Sequence, residues 1–268
     1  MVETHHPLIK RALDVVDEEM EIATVERHAF EQFRSRLSEI DPAPPPARNG
    51  TATSGSGAMA TPGHVVEPAE TAGGGAGPSG KSLARVRTAY RETVMAVPHF
   101  ESEYGGTLRE SAAAEFGPTL ASRMADGRRL TRAQREGLLT AAEAAVDKRE
   151  LYERDLHQEQ ESLREVRAGV AECERRAHAL GDEVDDASGS EALGTLDARF
   201  VDLETECAEL ATARQQVIHG RRAGQMSGLH EESLTTLLYG ELETTCPGLA
   251  GIARCVDAIR TRRRRCLG

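Results

Sequence analysis

The sequence predicts an all-α protein: an antiparallel helical hairpin forming a coiled-coil stalk, a small helical head, and a separate N-terminal helix on a disordered linker. Three observations carry this expectation. The first is a seam running through Leu138, Ala142, Ala145, Arg149, Tyr152, Leu156, Glu159, Leu163, Val166, Val170, Cys173, Ala177 and Leu180. Its steps alternate four and three, and eleven of the thirteen positions are apolar, which is the heptad pattern of a helix lying against others. From Thr131 to Leu180 such a helix would be about 75 Å long, too long for the interior of one compact domain. The second is a matching seam at Leu193, Leu196, Phe200, Leu203, Cys207, Leu210, Arg214 and Val217, where only Arg214 is polar. The third is composition: 39% apolar residues, 3% aromatic and no Trp. Seams of Leu, Val and Ala suit such a chain better than a thick core, and long alternating Val/Ile/Tyr runs are missing.

Taken in order, residues 7 to 40 read as one helix opened by Pro7. Ile9, Leu13, Val16, Met20 and Ala23 make one stripe, with Val15, Ile22, Ala29, Phe33, Leu37 and Ile40 beside it. So wide an apolar face has to bury itself, on this chain or on a second copy. Asp41-Pro42-Ala43-Pro44-Pro45-Pro46 stops the helix, and Pro, Gly, Ala, Ser and Thr dominate as far as residue 81. Such a stretch has too little apolar surface to offset its ordering entropy and is expected to be a disordered tether.

Ser82 is the expected cap of a helix bearing Leu83, Val86, Tyr90, Val94 and Val97, which Pro98 ends. Thr107 with Glu110 forms a capping box for the next helix, Gly117-Pro118 breaks it, and Thr131 with Gln134 caps the long helix. The run from Gly181 to Ser190 reads as a ten-residue loop. Folding about its centre sets Phe200 near residue 171 and Val217 near Arg154. Short helices around Leu234–Leu242 and Leu249–Ile259 follow. The expected domains are 1–40, the linker 41–81, and a helical domain 82–265 with its stalk at 151–220 and its head at 82–150 and 221–260.

The charge is −11, and lysine occurs only at positions 10, 81 and 148, so nearly all of the 33 basic residues are arginines. This fits salt adaptation or GC-driven codon bias. At 1 M salt the Debye length is about 3 Å, so long-range steering would contribute little. Five cysteines, an odd number without C-x-x-C spacing, point to a reducing, cytoplasmic setting and no zinc site. No apolar run has the roughly 20 residues that a membrane span needs.

The chemistry-bearing motifs are few. Gly75-Ala76-Gly77-Pro78-Ser79-Gly80-Lys81-Ser82 matches G-x-x-x-x-G-K-S, a phosphate-cradling loop, through Gly75, Gly80, Lys81 and Ser82. No buried strand leads into it and no later apolar run ends in Asp to hold magnesium, so chance in a Gly/Ser-rich segment explains the match. The nine histidines include no pair at i, i+4 spacing, and no metal or cofactor is expected. The hairpin register sets Cys173 and Cys207 about 13 Å apart along the axis. Arg149 is expected to lay its stem on the seam with its head in water, while Glu159 is left open between that arrangement and a polar position that fixes register or oligomer state. The tail carrying Arg262, Arg263, Arg264 and Arg265 is a compact cation able to meet nucleic acid, or simply suited to a helix C-terminus.

Several stretches carry a likeness: Val86-Arg87-Thr88-Ala89-Tyr90-Arg91-Glu92-Thr93-Val94-Met95-Ala96-Val97-Pro98-His99-Phe100, Glu103-Tyr104-Gly105, and Ala114-Glu115-Phe116-Gly117. Arg149-Glu150, Glu161-Ser162-Leu163 and Leu237-Leu238-Tyr239-Gly240 before Cys246-Pro247 add to it. Over about residues 82–265 the chain resembles a family of uncharacterised helical proteins from halophilic archaea. The resemblance implies a helical, coiled-coil-containing cytoplasmic protein and supplies no activity and no catalytic residues.

The expectation is therefore a non-enzymatic scaffold or protein–protein interaction protein, self-associating or bound to a protein partner. Its interaction candidates are Arg149, Tyr152, Glu159 and Arg262–Arg265. Nucleic-acid contact through the tail and nucleotide binding at residues 75–82 are the alternatives.

Overall fold

The computed structural model describes residues 7–44, 78–224 and 234–266, and among them every regular element is helical. The expected all-α class is therefore what the chain adopts. The helices are α1 (Pro7–Ser38), α2 (Pro78–Glu92), α3 (Phe100–Glu103), α4 (Leu108–Phe116), α5 (Pro118–Asp126), α6 (Arg132–Asp186), α7 (Ser190–Gly224), α8 (Leu234–Tyr239) and α9 (Pro247–Arg263). Short 3₁₀ turns stand at Val94–Ala96 and Arg264–Cys266. The expected tether lies mostly at 45–77, outside the described residues. Chain contacts divide the molecule into two compact units, Val25–Lys148 and a second formed by Met1–Thr24 with Arg149–Gly268.

The unit Val25–Lys148 is built on an aromatic nest. Phe33 of α1 meets Tyr90 of α2 edge to face at 5.2 Å and stacks with Phe116 of α4 at 5.9 Å. Phe30 and Tyr90 each meet Phe116 edge-on as well. In a chain so poor in aromatics this gathers four of its nine Phe and Tyr side chains at one point. Around it pack Leu37, Ile40, Leu83, Val86, Met124, Leu130, Leu138 and Ala142.

Helix ends in this unit are satisfied in part by arginines from elsewhere. Arg135 donates to the Ser38 and Ile40 carbonyls at the end of α1, at 2.5 and 2.9 Å. Arg87 does the same for Met124 and Gly127 after α5, at 2.8 and 2.6 Å. These carbonyls have no partner within their own helices, so the donors hold the elements together as well as capping them. The expected capping boxes at Thr107–Glu110 and Thr131–Gln134 are both formed. Gly117-Pro118 separates α4 from α5 as the sequence indicates. One boundary is corrected: α2 begins at Pro78 rather than Ser82, because Pro is tolerated in a first helical turn.

The second unit packs the start of α1, residues 149–186 of α6, α7, α8 and α9 around one core. Ile9, Leu13 and Val16 join Leu163, Val166, Val170, Phe200, Leu203, Ile252 and Ile259 there. Two expectations change as a result. Residues 7–40 are no separate domain, since their stripes are buried in the cores of the two units. Nor do α6 and α7 stand as a bare two-helix stalk, because α9 and the start of α1 cover them. α9 lies along α7, with Arg260 on Glu204 and Arg263 on Asp197.

The reversal between α6 and α7 also differs. α6 continues to Asp186 and only Ala187-Ser188-Gly189 connects it to α7. The seam goes on from Leu180 to buried Val184, which rewards the extra helical turns, and Gly189 supplies the positive φ, 100°, that the tight reversal needs. Moving the pivot slides α7 along α6. Glu183 pairs with Arg199 at 2.5 Å, and Glu206 takes Arg176 at 2.6 Å while Arg175 takes Glu172. The seam itself is placed as read: twelve of its thirteen positions from Leu138 to Leu180 are buried, and Tyr152 is half-buried.

α9 also approaches the start of α1 closely. A Cβ at Gly251 would lie 2.6 Å from Ile9 Cδ1 and 3.0 Å from Cγ1, and Ile9 is fully buried. Alanine would gain up to about 1 kcal/mol of helix propensity, whereas overpacking a tight core costs about 1–3 kcal/mol. Gly251→Ala is expected to lower stability despite its better propensity, by a net 1–2 kcal/mol in urea unfolding. Unchanged or raised stability would show that Ile9 repacks freely.

Candidate functional site

The polar seam positions converge in the second unit. Glu159 of α6 is fully buried and faces Arg214, the one polar member of the α7 seam. Arg214 forms a fork on it, Nη1 donating to Oε2 at 2.9 Å and Nη2 to Oε1 at 2.5 Å. Nη1 also donates to Ser162 Oγ at 2.9 Å. From α8, Tyr239 donates its hydroxyl to Glu159 Oε1 at 2.6 Å. Arg214 Nε is buried without an acceptor among the described residues, at the point where Gly248 of α9 passes it.

An isolated buried carboxylate or guanidinium is strongly unfavourable, and a bidentate pair with satisfied oxygens compensates for it. The constellation neutralises two charges inside an apolar core and ties α6, α7 and α8 at one level. A paired charge at a heptad core position also fixes register, since sliding either helix by one step would bury each ion unpaired. Glu159 was recognised as a polar seam position, but its partner was not. The signal was present: each seam carries a charge toward this end, and the two are of opposite sign. The loop-centred register already sets Arg214 near residue 157, within two positions of Glu159.

The other candidates have these places. Tyr152 is half-buried and donates to Glu19 Oε1 of α1 at 2.9 Å, joining two helices of the same unit. Arg149 is buried, contrary to the expected water-facing head. Glu159 and Tyr152 share a unit but stand two helical turns apart on α6.

The basic tail is folded onto acid. Arg263 grips both oxygens of Asp197, at 2.6 and 3.1 Å, and reaches Glu204 at 3.1 Å. Arg260 holds the other Glu204 oxygen at 2.9 Å, Arg265 pairs with Asp185, Arg264 bonds Thr261 Oγ1 and Arg262 bonds the Ala258 carbonyl. Of the phosphate-loop candidates, Gly75 lies outside the described residues, while Gly80, Lys81 and Ser82 fall within α2.

The Arg263 grip holds the Asp197 carboxyl below its ordinary 3.8. Burial raises Glu204, but hydrogen bonds from Arg260 and Arg263 outweigh it and leave that carboxyl below 4.5. A carboxyl depressed on folding contributes stability above its unfolded value and loses it as pH falls through its folded value. The clasp should therefore weaken as pH drops below about 4.5. Arg263→Gln is expected to flatten the acid limb of a stability-against-pH curve between about pH 4.5 and 2. An acid limb identical to that of the parent chain would mean the clasp contributes nothing.

Among the described residues, no group of three or more His, Cys, Asp or Glu stands where it could hold a metal ion. No described helix is long and apolar enough to cross a membrane.

An all-helical protein whose buried charges pair across its helices is the class defined by these features. The chain belongs to the family described as Domain of unknown function (DUF7260), whose model matches residues 7–263. The match takes in the first helix, which the resemblance over residues 82–265 left out, in keeping with the burial of α1. No curated protein and no solved structure matches the chain.

Proposed function

We propose that this chain is a non-enzymatic helical scaffold that binds a protein partner or a second copy of itself, with the α6–α7 pair acting as a coiled-coil spacer. The observation that carries the reading is the Glu159–Arg214–Tyr239 constellation. The buried polar groups that a reaction would draw on are engaged in setting helix register. The acid excess, scarce lysine and unpaired cysteines support a cytoplasmic setting at high salt.

The test is sedimentation velocity of the full chain in molar salt, together with affinity capture from lysate of the native host. The reading predicts either a concentration-dependent oligomer or a stoichiometric protein partner. A monomer at every concentration that also captures no stoichiometric protein would overturn it.

Nucleic-acid contact through Arg262–Arg265 has less support, because Arg263 and Arg265 are already paired with Asp197, Glu204 and Asp185. It predicts retention on DNA at working salt that falls when residues 260–268 are deleted.

A further inference from the structure

Three of the five cysteines stand in a row through the second unit's core. Cys173 of α6 neighbours Cys207 of α7 in this core, and Cys207 Sγ lies 3.9 Å from Cys255 Sγ of α9. The row ends where Cys255 Sγ meets the Val170 carbonyl, also at 3.9 Å. All three are reduced and buried, yet they differ in access. Cys173 lines a surface groove of about 370 Å³ shared with Gly169, Glu172, Glu206, Leu210 and Ala213. Cys207 and Cys255 lie behind it with no exposed surface.

We propose that this row is an oxidative modification site, in which a small disulfide entering the groove at Cys173 ends as a Cys207–Cys255 disulfide stapling α7 to α9. Thiol–disulfide exchange proceeds by attack of one sulfur on another through a mixed disulfide, so a sulfur touching both neighbours is the arrangement that passes a disulfide along. The Cys173 thiol attacks the small disulfide, forming the Cys173 mixed disulfide and releasing one small thiol. Cys207 attacks the Cys173 sulfur and releases the second small thiol, giving Cys173–Cys207. Cys255 then attacks the Cys207 sulfur, giving Cys207–Cys255 and returning Cys173 to the thiol. The net exchange reduces one small disulfide to two thiols and oxidises two protein thiols to one disulfide.

The end point is favoured because it removes the bond from the groove, where a reductant enters, to a place sealed from solvent. Closing Cys207 onto Cys255 requires the sulfurs to approach from 3.9 Å to about 2.05 Å. The rate is set by the thiolate fraction. The Cys207 contact and burial push the capturing Cys173 thiol well above its ordinary 9.0, and Cys207, lowered by the Cys173 contact but raised more by Cys255 and burial, is pushed up to about 12. Capture is therefore slow at neutral pH and should accelerate about tenfold per pH unit while the thiol remains protonated.

The full chain is incubated with excess oxidised glutathione at pH 7, 8 and 9, then unfolded in alkylating reagent and peptide-mapped. Alkylatable thiols at positions 207 and 255 are expected to disappear together, with a Cys207–Cys255 cross-linked peptide and free Cys173. Half-buried Cys246 serves as the positive control for reagent activity. Cys173→Ser should slow the cross-link at least tenfold, and Cys255→Ser should trap Cys173–Cys207. Glutathione on Cys246 with Cys207 and Cys255 still alkylatable at pH 9 would overturn the proposal. So would a cross-link formed equally fast in Cys173→Ser.

Discussion

Glu159→Leu is expected to destabilise the chain by about 3–5 kcal/mol, because it leaves the Arg214 guanidinium buried without its counter-ion. Arg214 would keep its bond to Ser162 and lose both Glu159 bonds. The double variant Glu159→Leu/Arg214→Leu removes both charges and should recover most of that loss, ending near the parent or above it. Tyr239→Phe should cost less, about 1.5–3 kcal/mol for a hydrogen bond to a charged acceptor. Urea unfolding of the four proteins gives the comparison directly. A double variant no better than Glu159→Leu would mean that the site contributes shape rather than charge compensation. Salt separates this pair from the tail clasp. Fully buried charges are screened little, so the Glu159 effect should persist in molar salt, whereas the partly exposed Arg263 clasp should fade.

Phe33→Ala is the second large effect, expected to cost about 3–5 kcal/mol as a cavity opens in the aromatic nest. Phe33 is fully buried, and both Tyr90 and Phe116 lean on it. The variant also decides between two pictures of the first helix. An appended helix would tolerate the change without altering the unfolding of Val25–Lys148. A helix that supplies part of that core would lower its transition midpoint, and this is the expected result. Phe100→Ala is a useful comparison, since Phe100 packs in a small satellite cluster with Ala29 and Val97 and should cost less.

Much of this architecture was legible from spacing alone. The four-three seam, both capping boxes and the Gly117-Pro118 break are local patterns, decided by which face of a helix repeats and which side chains reach their own backbone. Glu159 was legible as a polar interruption for the same reason. Its meaning was not, because the residue that answers it lies 55 positions along the chain. Only the reversal at residues 187–189 determines which residues face each other, and ten residues of loop-like composition concealed continued helix as far as Asp186. The same shift brought Cys173 to Cys207, a pair that the loop-centred register held apart.

The sequence by itself determined that this chain is helical, where most helices begin and end, and which residues they bury. Those properties depend on neighbours within a few positions. The tertiary structure decided the partners: α1 shared between two cores, α9 along α7, Arg214 on Glu159 and the arginine tail on Asp197 and Glu204. Apolar burial is non-directional and leaves many pairings nearly equal, so a buried charge that tolerates one partner geometry selects among them.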